Sequence, residues 1–354
     1  MKFIRKLLII VLILGAIRLL IPVAALTGIN YALRHKNEDY TGHLKDLDLA
    51  ILRGQITLKN LHIEKKNKPQ ALQIDVANTK VNYSWQKLWN KNAVAIIAID
   101  GANIVMTEIP KVKPPKPDEM SFTKIRKLLA DSKWSSEISQ FSVRNANVKF
   151  VVPEAKVPLS VNRIAIDISN VHLSPAKNWQ LARVKIESYL QGQGRMLLTG
   201  QTQPLADPVL ADMNFSIVDF DLKTLNGLLL KILPMDLTRG KFSTYIEAAS
   251  EKGHSNGYAK LFFDDIDVVS NPQKLKSGRH FVIEAAAAVG NWILKNDKEK
   301  TVALNLPFKI KHDNVVLNTS DAFWSALENK RDELDRKFDN TISFAQNRSE
   351  KLLE

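Results

Sequence analysis

The sequence contains no cysteine, which excludes disulfide bonds and thiolate metal sites. Its seven histidines are scattered singly, and none shows H-E-x-x-H or another metal-ligand spacing. No G-x-S-x-G nucleophile motif occurs, and the acidic residues show no recognisable catalytic pairing. We therefore predict a protein that is not an enzyme, with no catalytic residues, no metal site and no cofactor.

Long apolar runs are also absent, with one exception at the N-terminus. Basic residues precede an apolar segment, residues 7–26, in which Arg18 is the only charged side chain. Twenty helical residues cross about 30 Å of hydrocarbon. A central Arg costs roughly 2.5–3.5 kcal/mol, but each Leu, Ile or Val returns roughly 0.3–0.6 kcal/mol, so insertion is still favoured. We predict a single-pass anchor in residues 1–33, with Leu7, Leu14, Arg18 and Leu26 in the membrane.

A cleaved signal peptide is the alternative, because Val23-Ala24-Ala25 satisfies the small-residue cleavage pattern. Apolar sequence that continues through Ile29 and Leu33 favours the uncleaved anchor. Basic residues before the span place the N-terminus in the cytoplasm under the positive-inside rule. The C-terminal body is exported in either case.

Acidic side chains are outnumbered, with 37 Asp and Glu against 50 Lys and Arg, for a net charge of +13. Such a charge fits nucleic acid, an anionic membrane surface, or a basic surface that only keeps the protein soluble. Export makes nucleic acid an unsuitable partner. The membrane surface and the merely soluble surface both stay open.

Strand patterns dominate from residue 40 onward. Separate strands are predicted over residues 81–85, with Val81, Tyr83 and Trp85 on one face, and over residues 94–99, 104–106, 141–143 and 148–152. Short alternating segments separated by turn residues predict a mainly β fold, an elongated and curled antiparallel sheet. Residues 99–106 read like residues 143–150, and residues 56–63 read like residues 166–173. The apolar phase shifts by one at Asn60, as a bulge or tight turn produces. Repetition predicts a ladder-like sheet that grows along one axis, although short β segments also match by chance.

We predict that the anchor is followed by a β-domain over residues 34–320 and a C-terminal segment over residues 321–354. Three stretches in these domains are predicted not to be strands. Residues 110–117 form a stiff, basic, Pro-rich linker that leads into a helix over residues 119–134. A second helix is predicted over residues 223–233. A long C-terminal amphipathic helix, over residues 322–353, packs on the body or docks a partner protein. Its apolar seam comprises Phe323, Leu327, Leu334, Phe338 and Ile342.

Alternating strands give the predicted sheet one apolar face, which must be covered. With few helices available, the sheet curls over itself as either a closed dry core or an open trough that suits acyl chains. The candidate lining residues are Ile104, Met106, Val148, Phe150, Val184, Ile186, Phe215, Ile217, Leu261 and Phe263.

Several segments resemble the AsmA-like superfamily of bacterial envelope proteins. Besides the N-terminal anchor, the similarity lies in residues 46–63, which end in LRGQITLKNLHI, and in residues 215–242, which contain VDFDL and DLTRGKF. Residues 306–310, LPFKI, are similar to the closing strand of smaller members. The resemblance implies an inner-membrane anchor and an elongated periplasmic β-groove. Such grooves are thought to carry phospholipid or to support outer-membrane assembly.

The expected function is therefore binding or conduction of phospholipid by a protein anchored in the bacterial inner membrane, with its body in the periplasm. The chain is shorter than the largest members of that superfamily. About fifteen strands at about 4.8 Å give a groove of about 70 Å. The alternative is a non-enzymatic envelope scaffold or assembly factor that docks a partner protein through the C-terminal helix.

Overall fold

In the part of the chain that the structure describes, thirteen β-strands form one sheet in which each strand pairs with its neighbours in sequence, and this sheet does not close on itself. The computed structural model describes residues 20–107, 135–152, 157–172, 181–203, 210–227, 235–251, 254–270, 302–311, 314–317 and 335–342. The strands are β1 (Tyr40–Ala50), β2 (Gln55–Lys65), β3 (Leu72–Tyr83), β4 (Asn92–Met106), β5 (Ser135–Val152), β6 (Val157–His172), β7 (Ala182–Leu190), β8 (Gly194–Gln203), β9 (Leu210–Asp221), β10 (Met235–Glu251), β11 (His254–Ser270), β12 (Val302–Lys311) and β13 (Asn314–Leu317).

The described residues contain two α-helices, of which only the first is longer than two turns. Residues 20–35 form helix α1, and Trp85–Trp89 form helix α2. Short 3₁₀ turns span Ile51–Arg53, Pro69–Ala71 and Leu222–Leu225. The fold is thus mainly β, as the sequence predicts.

One pair of neighbouring strands breaks the predicted antiparallel order. All pairs are antiparallel except β4 and β5, which run parallel. A parallel neighbour needs a crossover connection of a dozen residues or more, and residues 107–134 between these strands are long enough to provide it. The predicted linker over residues 110–117 and the helix over residues 119–134 fall within this connection, outside the described residues.

The parallel strands β4 and β5 contain one of the two sequence repeats. Ile99 pairs with Val143, Ile104 with Val148, and so on in register from residue 97 to residue 106. The similar segments 99–106 and 143–150 therefore lie side by side and present the same residue types to the same face.

Several strands predicted as separate are the two halves of one longer, bent strand. In β4 the predicted segments 94–99 and 104–106 join through Gly101, whose φ is 68°. Asn60 in β2, Asn145 in β5 and Arg163 in β6 adopt the same left-handed conformation, with φ between 51° and 54°. Such a residue bends a strand and shifts its side-chain alternation by one position.

In six consecutive strands, the two apolar-face residues that flank this bend are three positions apart, whereas regular strand alternation separates them by two. We call this spacing a step. Register places the steps of β1–β5 side by side, and the step of β6 lies next to them, opposite Ala146 and Val148. Together they define a line across β1–β6, which we call the crease. The residue pairs that flank it on the apolar face are Leu44/Leu47, Leu58/Leu61, Val76/Thr79, Ile99/Ala102, Val143/Ala146 and Val161/Ile164.

The sheet bends toward its apolar face at the crease. Ala102, Val143 and Ala146 are buried there in one cluster, whereas Arg144 and Asn145 between them on the other face are exposed. Side chains on the inside of a bend converge, and those on the outside diverge. The apolar face is therefore concave along the crease.

Polar side chains connect the strands on the outside of the crease. The Asn145 amide donates to Asp100 Oδ1 at 2.8 Å, and the Asn147 amide donates to Asn103 Oδ1 at 3.1 Å. Asn147 Oδ1 in turn accepts from the Arg163 backbone N–H at 3.1 Å. These bonds hold β4, β5 and β6 in register where the bend interrupts the backbone ladder.

Helix α1 lies along the free edge of β1. The Asn30 side chain accepts from the Leu44 backbone N–H at 2.6 Å and donates to the Leu44 carbonyl at 2.9 Å. It thereby satisfies two backbone groups that an open sheet edge would offer to another chain.

Two further predictions need correction, and the helix predicted over residues 223–233 is described only over its first five residues. Trp85 begins α2 and is not part of a strand with Val81 and Tyr83, because Ser84 caps the helix through the Lys87 backbone N–H. The helix predicted from residue 223 is a 3₁₀ turn followed by two helical residues, up to the end of that described range. The predicted C-terminal helix is wrong over residues 335–342, which have no helical structure.

The membrane-anchor prediction falls mostly on residues 1–19, outside the described residues, including Leu7, Leu14 and Arg18. Leu26 lies in α1 and is half-buried. Among the described helices, none combines the length and the apolar character needed to cross a bilayer.

Filling the crease is expected to destabilise the protein. Ala146→Leu adds three heavy atoms to a buried position, and overpacking of this kind costs about 1–3 kcal/mol. Urea denaturation followed by circular dichroism measures the change. Ala165→Leu, on the opposite face of β6, is the matched control and should change stability by less than about 0.5 kcal/mol. Equal effects from the two substitutions would show that the crease is not tightly packed.

Candidate functional site: the apolar face

Strand register places all ten candidate lining residues on one face of the sheet. Ile104 pairs with Val148 and Met106 with Phe150. The row continues through β6, β7 and β8 to Phe215 and Ile217 in β9, and then through β10 to β11. The apolar face thus includes Ile104, Met106, Val148, Phe150, Val184, Ile186, Phe215, Ile217, Leu261 and Phe263.

These ten side chains are half-buried rather than buried. Neighbours within a sheet cover the flanks of a side chain, but only a second layer covers its end. Interiors of globular proteins are close-packed, and a covered core residue touches partners on every side. The exposed ends of these residues therefore leave an apolar surface that water contacts.

The central positions of this face carry no charged side chain in the described strands. Hydroxyl groups interrupt it at few places, such as Thr79, Ser188 and Thr244. The Thr244 hydroxyl is buried without a hydrogen-bond partner, which adds no polar contact for a ligand. The face can offer dispersion and hydrophobic contact over a large area, but little hydrogen-bonding specificity.

Aromatic side chains fill the face locally over glycines. Phe220 is buried over Gly194, where an added Cβ would lie 2.8 Å from the ring. Phe308 covers Gly257 in the same manner at β11 and β12. At these points the apolar face is closed by its own side chains, and Leu304 and Leu306 in β12 are buried on it as well. The ten candidate lining residues remain half-buried.

The opposite face is polar. His43, His62 and Asp75 pair across β1, β2 and β3, and His62 Nδ1 lies 2.7 Å from Asp75 Oδ1. The hydrogen bond to Asp75, and a second to Glu64 at 3.4 Å, raise the pKa of His62 against the opposing effect of burial. The described residues contain no group of three or more acidic or histidine side chains that is arranged to hold a metal ion.

Residues 335–342 cover part of this polar face on β10 and β11. Arg336 forms a two-pronged ion pair with Asp264 and lies over the Phe262 ring at 4.8 Å. Its hydrogen bond to Asp264 raises the pKa of Arg336. Phe338 packs edge-on against Tyr245, with 5.6 Å between ring centroids.

A buried polar network lies beneath this segment. Glu247 is 0% exposed and accepts hydrogen bonds from the Tyr258 hydroxyl and from the Asn340 backbone N–H. Lys260, 2% exposed, pairs with Asp339. Burial, followed by the hydrogen bond to Glu247, raises the pKa of Tyr258 well above its usual range. These contacts hold the C-terminal segment against the sheet.

The predicted partner-binding seam is therefore not a helical surface where the structure describes it. Phe338 contacts the protein's own sheet, and Ile342 is half-buried in the same non-helical segment. Phe323, Leu327 and Leu334 lie outside the described residues.

No protein-family model matches the chain, and no curated protein sequence matches it significantly.

Neither the crease nor the network under residues 335–342 was predicted from the sequence. A signal for the crease was present, because the apolar step seen at Asn60 recurs at Gly101 and Asn145. The network left no comparable signal. Glu247 and Lys260 stand at outward positions of alternating strands, where charged side chains are ordinarily solvated.

The His62–Asp75 contact predicts a weak pH dependence of stability. Because the folded protein raises the pKa of His62, the contribution is fully present below about 6.5 and is lost as pH rises through the raised value. The free energy of unfolding should fall by less than about 1 kcal/mol between about pH 6 and about pH 8, since Asp75 is exposed.

Asp75→Asn should flatten this profile in urea titrations at several pH values. Asp167→Asn, which removes a similarly exposed carboxylate paired with Arg144, is the control and should leave the slope unchanged. A profile that stays sloped in Asp75→Asn would assign the dependence to another group.

Proposed function

We propose that this protein binds and conducts phospholipid along its apolar face, as an anchored component of the bacterial cell envelope. The observation that carries the proposal is the open, uncharged apolar face that runs across the described strands with half-buried side chains. Acyl chains are the ligands that such a surface accommodates, because they need area and no hydrogen bonds.

The mechanism is passive. Acyl chains lie against the concave apolar face, each buried methylene contributes about 0.8 kcal/mol, and headgroups stay in water. Thirteen strands make twelve spacings of about 4.8 Å, so the groove is about 58 Å long. Neighbouring sites along it are chemically alike, and a chain can slide without crossing a polar barrier.

The anchor and the location rest on the sequence. Residues 7–26 are apolar and long enough to span a bilayer, and basic residues before them orient the body away from the cytoplasm. Similarity of residues 46–63 and 215–242 to the AsmA-like superfamily supports a single-pass inner-membrane protein with a periplasmic body. The scaffold alternative has less support, because Phe338 of its proposed docking surface packs on the protein's own sheet.

Native mass spectrometry with lipid extraction tests the proposal. The full chain, exported in bacteria and released from the membrane in mild detergent, should carry several phospholipids per molecule. A lipid-free, monodisperse protein would mean that the apolar face is covered in solution, and this result would contradict the proposed lipid function.

A charge placed in the groove should abolish lipid binding. Ile186→Lys puts an ammonium group among half-buried apolar side chains in the middle of the sheet, where acyl chains would have to desolvate it. We expect its co-purified phospholipid to drop to background in the same measurement. Thr199→Lys, on the opposite face of the adjacent strand, is the matched control and should keep its lipid.

Circular dichroism and urea denaturation show whether a variant that loses its lipid is still folded. Lipid lost from a folded Ile186→Lys protein supports the groove. Equal lipid in the two variants, or loss only together with unfolding, would contradict an open groove at Ile186.

A further inference from the structure

Two short elements form an apolar tip at one end of the sheet. The turn Ile51–Arg53 joins β1 to β2, and α2 (Trp85–Trp89) joins β3 to β4. Leu52 is 89% exposed and Trp89 is 83% exposed, and Ile51 and Trp85 are exposed beside them. Large apolar side chains grouped in this manner mark a surface that meets another apolar phase.

The tip is held in place by its own contacts. Trp85 Nε1 donates to the Ile51 carbonyl at 2.6 Å and thereby joins the two elements. The Tyr83 backbone N–H donates to the Gly54 carbonyl at 2.7 Å, and the Tyr83 and Trp85 rings meet edge-on at 5.0 Å. Leu52 and Trp89 project from this support, so their exposure belongs to the folded state.

The tip is positively charged. Arg53, Lys87 and Lys91 are exposed in or beside the two elements, and neither element contains an acidic residue. Tryptophan with basic side chains suits the interface of an anionic bilayer, where the ring enters the headgroup region and the cations meet phosphate.

The N-terminal segment approaches from the same end. Helix α1 ends at residue 35, and four residues connect it to β1. Asn30, earlier in the helix, contacts Leu44, which lies farther along β1. The helix therefore doubles back alongside β1, and its N-terminal end points toward the end of the sheet that carries Leu52. The proposed anchor over residues 7–26, which includes the start of α1, would therefore lie on the side of the tip.

We infer that this tip inserts into the interface of the anionic bilayer that holds the N-terminal segment, with Leu52 and Trp89 below the headgroups. The inference rests on the proposed anchor. It adds a second membrane contact, which fixes the orientation of the sheet. One end of the apolar face then opens directly at the lipid surface. This end carries Leu49, Ile56, Val81 and Ala95.

Site-specific labelling tests the tip, and the absence of cysteine makes the label unique. Leu52→Cys in the full chain, carrying an environment-sensitive fluorophore, is reconstituted into vesicles of phosphatidylethanolamine and phosphatidylglycerol. We expect a blue shift of the emission and quenching by lipids with a nitroxide near the headgroup. Phosphatidylcholine vesicles, which lack negative charge, should give a smaller shift.

Gln201→Cys, exposed on β8, is the matched control and should report water under both conditions. A label at residue 52 that also stays in water on vesicles that carry the protein would overturn the inference and leave the anchor intact. A label that becomes shielded only when envelope proteins are added would assign the tip to a protein partner instead. A chain that does not float with the vesicles would overturn the anchor and the inference together.

Discussion

The fold depends on a constraint of strand geometry. Side chains alternate with a period of two, so a strand that bends must add one residue at the bend or turn its apolar side outward. Six neighbouring strands make this adjustment along the crease, and left-handed residues supply it at Asn60, Gly101, Asn145 and Arg163. Because β2–β6 are each paired on both sides, a strand that shifts its bend relative to a neighbour disturbs the register, as β6 does against β5.

The bend gives the two faces different chemistry. On its inner side, small residues such as Ala102 and Ala146 let the two halves of each strand approach, while larger side chains farther out remain half-exposed. On the outer side, residues 335–342 cover a network in which Glu247 and Lys260 are buried. The most deeply buried charges thus lie on the polar face, and an accessible apolar surface lies on the other.

The sequence predicts the strand content, the repeats and the apolar residues of the face, because each is a local pattern of period two. It does not predict that β4 and β5 run parallel, since the direction of pairing depends on the long connection between them. It predicts two short segments where β4 is one bent strand, because Asp100-Gly101 resembles a turn. Phe338 and Ile342 fit a helical seam by spacing. However, Phe338 contacts Tyr245 and Arg336 pairs with Asp264, both on distant strands, and these contacts favour a non-helical segment there.

The composition of the apolar face limits what it can select. A site that distinguishes one headgroup needs buried donors or charges at fixed positions, since an unpaired polar group is what rejects the wrong ligand. The central positions of this face offer isolated hydroxyls, such as Thr79 and Ser188, and no charge. Under the proposed function, ligands of this face would be distinguished by apolar area and shape, and selection among phospholipids would occur where chains enter. The basic residues near the tip, Arg53, Lys87 and Lys91, are at that end of the sheet and favour anionic headgroups there.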